Sequence, residues 1–234
     1  MNVTHAIFHI GERIYPADAR AMTALLMDEI QPALMATLMN YETGTTKTQT
    51  KFPVVQFAYA KDGFSLLGFG AEGGAAVEDA TPLIHQALAK KYRRIVQVEM
   101  RTLMLSAEAR PYALRYTVPK MVVQKKAQHQ EWLRDPEKGK QHIEQLFLRS
   151  LQRQAEAVGM TLPADIRVTF LGAEGDFAAK QKGDAKLAMF GLRGAVFDVN
   201  ARLGGIWSVG YMLSKGYGDF NATYQLSGTR NGVA

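Results

Sequence analysis

The dipeptide Asp62-Gly63 separates two apolar runs, at residues 54–60 and 64–69, and places the strongest constraint on the fold. Asp-Gly readily adopts the positive φ angles of a two-residue turn, and apolar runs of this length are typical of strands. A turn this short can join only antiparallel neighbours. The sequence therefore predicts a β-hairpin here and excludes a parallel β-α-β unit for this stretch.

The residues around the hairpin predict a complete domain. Residues 4–10 alternate as in a strand, and Pro16 is typical of the first turn of a helix. Pro32 is expected to kink or divide that helix, because proline lacks the backbone donor. An apolar stripe at helical spacing follows the hairpin, and residues 95–105 form a further strand candidate. The order β-α-β-β-α-β is ferredoxin-like, and we assign it to residues 1–108.

The rest of the chain, residues 109–234, is predicted to form a second domain. Residues 108–111 are interpreted as a linker, and residues 112–123 as the first strand after it. One helix then ends near Gly159, since glycine is a common helix stop. Further strand candidates follow at 166–171, 187–192, 195–199, 206–213 and 222–226.

The composition of the chain excludes several classes of protein. Hydrophobic residues make up 47% of the chain, which is enough for a good core. There is no cysteine, so a disulfide framework and a thiolate metal site are excluded. No apolar run approaches the roughly 20 residues of a membrane span, and the N-terminus lacks the pattern of a signal peptide. We therefore expect a cytoplasmic protein with no membrane partner, and nothing in the sequence indicates a cofactor.

Positive charge is concentrated in the middle of the chain. Between Lys90 and Arg153 there are 15 Lys/Arg and 6 Asp/Glu, a local charge of +9, whereas the remainder carries −3 and the whole chain +6. This asymmetry predicts a site for a polyanion such as a nucleic acid. Arg149 lies four residues before Arg153, so both are on one helix face. Together with Lys138 and Lys140, these two arginines suggest a row of phosphate contacts. A solvated basic surface is the alternative interpretation.

A glycine-rich segment at residues 203–220 carries five glycines, four aromatic residues and one lysine, Lys215. Aromatic rings stack on bases and lysine binds phosphate, so the segment suggests a platform for single-stranded RNA. A tight β-hairpin whose glycines serve only turns and bulges explains the same composition. The sequence leaves both interpretations open.

Residues 68–73, Gly-Phe-Gly-Ala-Glu-Gly, match the dinucleotide-binding pattern Gly-x-Gly-x-x-Gly. The match raises the hypothesis of a nucleotide-binding oxidoreductase. The preceding strand belongs to an antiparallel hairpin, however, whereas the dinucleotide-binding pattern requires a parallel β-α-β unit. A glycine-rich turn into the second helix is the favoured interpretation.

Other catalytic signatures are absent from the sequence. There is no Gly-x-Ser-x-Gly elbow and no Walker motif. The five histidines are not at metal-ligand spacing, and the carboxylates are scattered, so no metal site is predicted. If the protein cuts RNA, the favoured chemistry uses the 2′-hydroxyl of the substrate as the nucleophile. Histidine, tyrosine, lysine and arginine can supply the necessary base, acid and cation.

Three segments carry a resemblance to a known family. Residues 51–70 resemble the strand-hairpin-helix pattern, residues 188–199 the strand pair, and residues 205–218 the C-terminal glycine-rich loop of CRISPR repeat-processing endoribonucleases. The segments occur in the same order and span nearly the whole chain. The protein is therefore similar to this family, which belongs to the RAMP superfamily.

The resemblance implies an α+β fold with two tandem ferredoxin-like (RRM-like) domains and a C-terminal glycine-rich loop. It implies binding of a CRISPR repeat hairpin and one metal-independent cut that turns precursor crRNA into mature crRNA. The implied products carry a 2′,3′-cyclic phosphate and a 5′-hydroxyl. Besides the crRNA, the implied partners are other subunits of a CRISPR effector complex. A non-catalytic crRNA-binding subunit of such a complex is the alternative function.

The catalytic candidates follow from one departure from the family pattern. Relatives often carry histidine just after the first helix, where residues 38–41 here are Leu-Met-Asn-Tyr. The resemblance then implies Tyr41 as acid or base. Arg13 and Arg20, which flank the start of the first helix, suit the arginine-dependent variants of type IV systems. His9, at the end of the first strand, is the fourth candidate.

The predicted RNA-binding residues offer a cation, an aromatic face or a glycine that allows close approach. They are Lys47, Lys51, Arg93, Arg94, Lys120, Lys125, Lys126, Lys138, Lys140, Arg149, Arg153, Gly204, Gly205, Lys215 and Tyr217.

Overall fold

The structure, a computed structural model, describes residues 1–25, 30–42, 47, 49, 51–93, 95–125, 134–179, 189–221 and 225–226. The chain divides into two compact units. The first unit comprises Met1–Met104, Glu156–Met160 and Leu213–Gly216, and the second comprises Leu105–Ala155, Thr161–Met212 and Tyr217–Ala234. Helices and antiparallel sheets are both present, so the predicted mixed class of fold is confirmed.

The first unit contains its secondary structure in the predicted order. Its elements are β1 (Asn2–His9), α1 (Pro16–Ala24), α2 (Pro32–Met39), β2 (Val55–Ala60), β3 (Gly63–Phe69), α3 (Gly70–Tyr92) and β4 (Gln97–Met104). The strands form an antiparallel sheet in the order β2-β3-β1-β4. Ala60 pairs with Gly63 across the turn, which confirms the predicted hairpin.

Two prolines set the helix boundaries between β1 and β2. Pro16 begins α1 and Pro32 begins α2, each at the start of its helix, where no intrahelical donor is needed. The prediction that Pro32 divides the helical region is therefore confirmed. The left-handed conformation of Asn40 (φ 52°) ends α2 and turns the chain towards Tyr41.

One face of the four-stranded sheet carries the core of the first unit. Phe8, Phe57 and Phe64 are fully buried there, and the Phe8 and Phe64 rings stack with centroids 4.9 Å apart. Apolar residues of the three helices complete the cluster. Burial of each such ring contributes about 1.5–3 kcal/mol to folding.

The glycines at residues 68–73 are packing glycines. A Cβ on Gly68 would lie 2.3 Å from the carbonyl oxygen of Gly73, and a Cβ on Gly73 would lie 2.3 Å from that of Val54. Both neighbours of β3 are antiparallel to it. The segment therefore lies outside a parallel β-α-β unit, and it is the glycine-rich turn into α3 that the sequence favoured.

The second unit is built on two long paired strands. Its elements are β5 (Ser106–Lys125), most of α4 (Pro136–Ala157), β6 (Val168–Gly172), β7 (Gly175–Ala179), β8 (Met189–Gly204), β9 (Ile206–Ser208), β10 (Asp219–Asn221) and β11 (Gln225–Leu226). One antiparallel sheet has the order β11-β5-β8-β6, with β7 also paired to β8, and β9 pairs with β10. Phe147 of α4 packs on Phe197 of β8 at 4.3 Å.

Three predictions of local structure are wrong. Residues 108–111 are not a linker but part of β5, where a register shift between Ala109 and Leu114 accommodates the proline. The two strands predicted at 187–199 are one strand, β8, over its described part, because Gly194 (φ 56°) allows an irregularity without a turn. The strand predicted at 206–213 ends at Ser208.

Candidate functional site

Arg20 lies one turn into α1, at the edge of the helix face that is buried through Pro16, Ala19 and Thr23. Its Nη2 donates a hydrogen bond of 2.7 Å to the Met39 carbonyl oxygen. Its Nε is buried and finds no hydrogen-bond partner among the described residues. A buried donor without a partner costs free energy, so Arg20 is held in a position that an additional acceptor would stabilise.

Tyr41 lies against the same guanidinium. The Arg20 Cζ is 5.1 Å from the centroid of the Tyr41 ring, within the range of a cation–π interaction. The Tyr41 backbone amide donates to the Ala36 carbonyl oxygen at 2.8 Å, which fixes the residue at the end of α2. The structure therefore brings together two of the four predicted catalytic residues.

Lys215, from the glycine-rich segment, lies near Arg20. It ends a 3₁₀ helix, Leu213–Lys215, that contacts α1 and β2 within the first unit. Burial, and secondly the nearby Arg20 guanidinium, lower the pKa of the Lys215 ammonium. We call Arg20, Tyr41 and Lys215 the Arg20 cluster.

The position of Lys215 is fixed by its neighbour Gly216. Gly216 has a φ of +76°, and a Cβ there would lie 2.3 Å from the Pro16 Cβ and 2.8 Å from the Phe57 carbonyl oxygen. Only glycine allows both this conformation and this approach. The end of the 3₁₀ helix is therefore seated directly on the start of α1.

The Arg20 cluster has the chemistry of an anion site. Within the described ranges, neither Arg20 nor Lys215 forms an ion pair with a carboxylate. Two cations that repel each other, together with the buried Nε of Arg20, favour a bound group that carries negative charge and several acceptor oxygens. A phosphodiester has both properties, and the Tyr41 hydroxyl can donate or accept a proton beside it.

His9, the third catalytic candidate, lies in a different set of contacts. Its Nδ1 is 2.9 Å from the Asp62 Oδ1, and its Nε2 is 3.8 Å from the Glu99 Oε2. Glu99 is also bonded to Arg101. The hydrogen bond from His9 lowers the pKa of Asp62, and the bond from Arg101 is the main cause of the lowered pKa of Glu99. His9 therefore links the β2–β3 turn to β4 rather than joining the Arg20 cluster.

Arg13, the fourth candidate, lies over an aromatic ring. Its Cζ is 5.8 Å from the centroid of the Tyr59 ring, and the Tyr15 ring meets the Tyr59 ring edge-on at 6.0 Å and 83°. We call Arg13, Tyr15 and Tyr59 the Tyr15 cluster. No role is predicted from the sequence for Tyr15 or Tyr59, and the proximity of Tyr15 to the helix start is the only available signal.

The part of the glycine-rich segment that lies in the second unit is tied to α4 and β5. Gln154 of α4 donates to the Ile206 carbonyl oxygen at 3.1 Å and accepts from the Ser208 amide at 2.8 Å. Ser150 accepts from the Gly210 amide at 3.0 Å. The segment is therefore a β9–β10 ribbon with a pinned connection, which agrees with the hairpin interpretation.

Three of the predicted RNA-binding residues serve this local structure. Gly205 (φ +83°) makes the turn from β8 to β9. Gly204 packs within the second unit, where an added Cβ would lie 2.4 Å from the Ser106 hydroxyl oxygen. The Tyr217 ring stacks on Phe177 with centroids 5.7 Å apart. A stacked ring has one face covered, so Tyr217 is less accessible to a base than the sequence suggested.

The predicted RNA-binding cations are dispersed over both units. Lys47 pairs with Glu42 at 3.0 Å, Lys138 pairs with Asp135 at 3.1 Å, and Arg149 donates to Gln145 at 2.8 Å. Lys51, Arg93 and Arg153 are exposed, and Lys120 and Lys140 are half-buried. Only the backbone of Lys125 is described, in β5, and Arg94 and Lys126 lie outside the described residues.

The described residues contain neither a metal-binding cluster nor a membrane-spanning helix. No three His, Asp or Glu side chains in the described ranges are grouped so that they could hold a metal ion. None of the described helices has the length and apolar character needed to cross a membrane.

Comparison with solved structures defines the class of fold. A structure described as Csf5, the CRISPR-Cas type IV Cas6 crRNA endonuclease, superposes with a TM-score of 0.70 and 19% identity over 95% of this chain and 100% of that chain. A Cas6b structure gives 0.67 and 14% over 95% and 100%, and a CRISPR RNA processing endoribonuclease Cas6b gives 0.61 and 13% over 93% and 97%. The fold is that of CRISPR RNA-processing endoribonucleases.

The family can be named more closely from the sequence itself. The family model of the type IV CRISPR-associated endonuclease Csf5 matches residues 8–223. The chain therefore belongs to the Csf5 family of type IV CRISPR-associated endonucleases, which confirms the resemblance to repeat-processing endoribonucleases. A sequence search of curated proteins found no match.

Proposed function

We propose that this protein binds precursor crRNA and cleaves it once in each repeat, with the Arg20 cluster as its catalytic site. The observation that carries the assignment is the convergence of Arg20, Tyr41 and Lys215 in the first unit of a Csf5-family endonuclease. The cleavage is metal-independent in this proposal, because these side chains can supply a cation, an acid and a base for RNA transesterification.

The proposed reaction uses the RNA as its own nucleophile. The 2′-oxygen attacks the adjacent phosphorus, the bond from phosphorus to the 5′-oxygen breaks, and a 2′,3′-cyclic phosphate and a 5′-hydroxyl remain. Arg20 neutralises the charge that develops on the non-bridging oxygens, and its buried Nε gains the acceptor that it lacks. Tyr41 donates a proton to the departing 5′-oxygen.

Lys215 accepts the proton of the 2′-hydroxyl in this scheme. Burial and Arg20 lower the pKa of its ammonium, so a larger fraction of the amine is neutral near pH 8 than for a surface lysine. A neutral amine has a lone pair and can act as a general base. His9 and Arg13 have no direct part in the chemistry.

We further propose that both units are ferredoxin-like domains, which divide just before β5, a few residues ahead of the predicted boundary at 108–109. The first unit has the ferredoxin-like order with its first helix divided in two, β1-α1-α2-β2-β3-α3-β4, and its strand order is β2-β3-β1-β4; both support this assignment. We propose that the RNA backbone is bound by the exposed or half-buried cations Lys51, Arg93, Lys120, Lys140, Arg149 and Arg153. We also propose that the complex of this protein with crRNA joins other effector subunits and works in the cytoplasm.

The test is incubation with the CRISPR repeat RNA of the source locus in EDTA, followed by analysis of the product ends. One cut that leaves a 2′,3′-cyclic phosphate would support the proposal. A requirement for added Mg²⁺, or a 3′-hydroxyl product, would contradict it. Tight binding without any cut would favour the alternative of a non-catalytic crRNA-binding subunit.

Variants of Arg20 and Tyr41 assign the roles. Arg20→Ala is expected to slow single-turnover cleavage about 100- to 1000-fold, and Tyr41→Phe about 100-fold or more, with smaller effects on RNA binding. Arg167→Ala and Tyr112→Phe change exposed residues of the second unit and serve as matched controls. Equal losses of rate and affinity would make Arg20 and Tyr41 binding contacts only.

The Lys215→Arg variant separates charge from proton transfer. Arginine keeps the positive charge but is always protonated. The wild-type rate is expected to rise with pH through the lowered pKa of Lys215 and then level off, and the variant is expected to lose this rise. The same pH profile in both proteins would contradict the assignment of Lys215 as the base.

A further inference from the structure

The Tyr15 cluster has an exposed aromatic surface that the packing of the fold does not explain. Tyr15 is 52% exposed, although the residue is large and aromatic. Its ring meets the Tyr59 ring edge-on, and the Arg13 guanidinium lies over the Tyr59 ring. The cluster therefore combines an accessible ring face with a cation beside it.

Local structure does not require tyrosine at position 15. Tyr15 is the N-cap of α1, has an extended backbone and makes no side-chain cap. Its carbonyl oxygen accepts from the amides of Asp18 and Ala19 at 2.9 Å, which any residue could do. Serine, threonine, aspartate or asparagine is preferred at this position because each can also cap the helix. The ring therefore replaces a stabilising cap with an exposed surface.

The Tyr15 cluster adjoins the Arg20 cluster. Tyr15, the N-cap of α1, and Arg20 are five positions apart, or about 7.5 Å along the helix axis. Pro16, the neighbour of Tyr15, lies against Gly216, the neighbour of Lys215. A strand whose phosphate is bound at Arg20 can therefore carry an adjacent base to Tyr15.

We propose that the Tyr15 cluster binds an unpaired base of the substrate RNA next to the cleaved phosphodiester. The inference rests on the proposed function in that the chain binds the repeat RNA with a phosphate at Arg20. Stacking on an aromatic ring is available to every base, and Arg13 adds attraction for the neighbouring phosphate. Positive charge at Arg13 and Arg20 favours this occupant over an apolar peptide, which would gain nothing from the cations.

The experiment uses repeat RNA with a 2′-deoxy substitution at the cleavage position, so that binding is measured without cleavage. The fluorescent base 2-aminopurine replaces each unpaired nucleotide beside the cut in turn, and stacking quenches its emission. With the wild-type protein we expect quenching at one of these positions. Tyr15→Leu is expected to abolish it and to weaken binding about fivefold or more, whereas Tyr15→Phe keeps both.

Tyr112→Leu is the matched control, because Tyr112 is 53% exposed and lies in β5. It is expected to change neither quenching nor affinity. Thermal unfolding of Tyr15→Leu and of a second variant, Tyr59→Leu, checks that each protein is folded. The inference is overturned if no position is quenched, or if Tyr15→Leu and Tyr112→Leu behave alike.

The outcomes separate this inference from the proposed function. If the wild-type protein binds the RNA and shows Tyr15-dependent quenching but does not cut unmodified repeat RNA, the stacking site stands and the proposed reaction fails. If it cuts the RNA and Tyr15→Leu has no effect, the reaction stands and the stacking site is wrong. If it does not bind repeat RNA, both are wrong.

Discussion

Gly216→Ala tests whether the position of Lys215, rather than its presence, governs cleavage. The substitution leaves every proposed catalytic side chain in place. It adds a Cβ that would lie 2.3 Å from the Pro16 Cβ, where ordinary contact begins at 3.4 Å, so the 3₁₀ helix must move by about 1 Å. Because Gly216 has a φ of +76°, a side chain there also costs about 1–2 kcal/mol of backbone strain.

The expected result is a loss of rate out of proportion to the loss of affinity. A misplacement of about 1 Å can lower the rate of a positioned reaction about 100-fold. Single-turnover cleavage of repeat RNA measures the rate, and a filter-binding titration measures the dissociation constant, which is expected to change less than about threefold. Gly175→Ala is the control, because its Cβ meets nothing within 4 Å.

The reasoning would be refuted by a Gly216→Ala protein that is folded and cleaves within about threefold of wild type. Such a result would mean that the neighbouring backbone adjusts freely, and that Lys215 needs no fixed position. A thermal unfolding curve for both glycine variants shows whether a lower rate reflects misplacement or global unfolding.

Two further predictions concern Asp219 and the basic helix. Burial raises the pKa of Asp219 from 3.8 to about 6, so its charged form destabilises the native state above pH 6 and not below pH 4. Asp219→Asn should therefore raise the free energy of unfolding by up to about 3 kcal/mol at pH 7.5 and by little at pH 4. Denaturation followed by tryptophan fluorescence measures this free energy, and equal gains at both pH values would contradict the prediction. Changing Arg149 and Arg153 together to alanine should weaken RNA binding and reduce the slope of log affinity against log salt concentration by about 1–2. The control variant Arg167→Ala should leave this slope unchanged. An unchanged slope in the double variant would show that neither arginine contacts a phosphate.

Local chemistry explains which parts of the fold the sequence could predict. Asp62-Gly63 and Pro32 act within a few residues of themselves, and the hairpin and the division between α1 and α2 are as expected. The errors occur where pairing with distant strands overrides the local signal. Pro111 remains within β5 because β8 shifts its register there, and Gly194 bends β8 without ending it.

The candidate site was predictable only in part. Arg20 and Tyr41 were identified because family resemblance directed attention to the region of α1 and the residue after α2. Lys215 was predicted to bind RNA, but its proximity to Arg20 depends on a contact between residues far apart in the sequence. His9 precedes α1 closely in the sequence, but its pairing with Asp62 and Glu99 joins residues far apart along the chain and could not be predicted from sequence spacing.

The division of the chain has a consequence for its synthesis. Leu213–Gly216 belongs to the first unit, although the residues on both sides of it belong to the second. A nascent chain therefore still lacks Lys215 long after Arg20 and Tyr41 have been synthesised. Prematurely terminated products contain Arg20 and Tyr41 without the third member of the cluster, so under our proposal truncated translation products could not become active nucleases. For the same reason, the two units cannot be separated by a single cut without dividing the site.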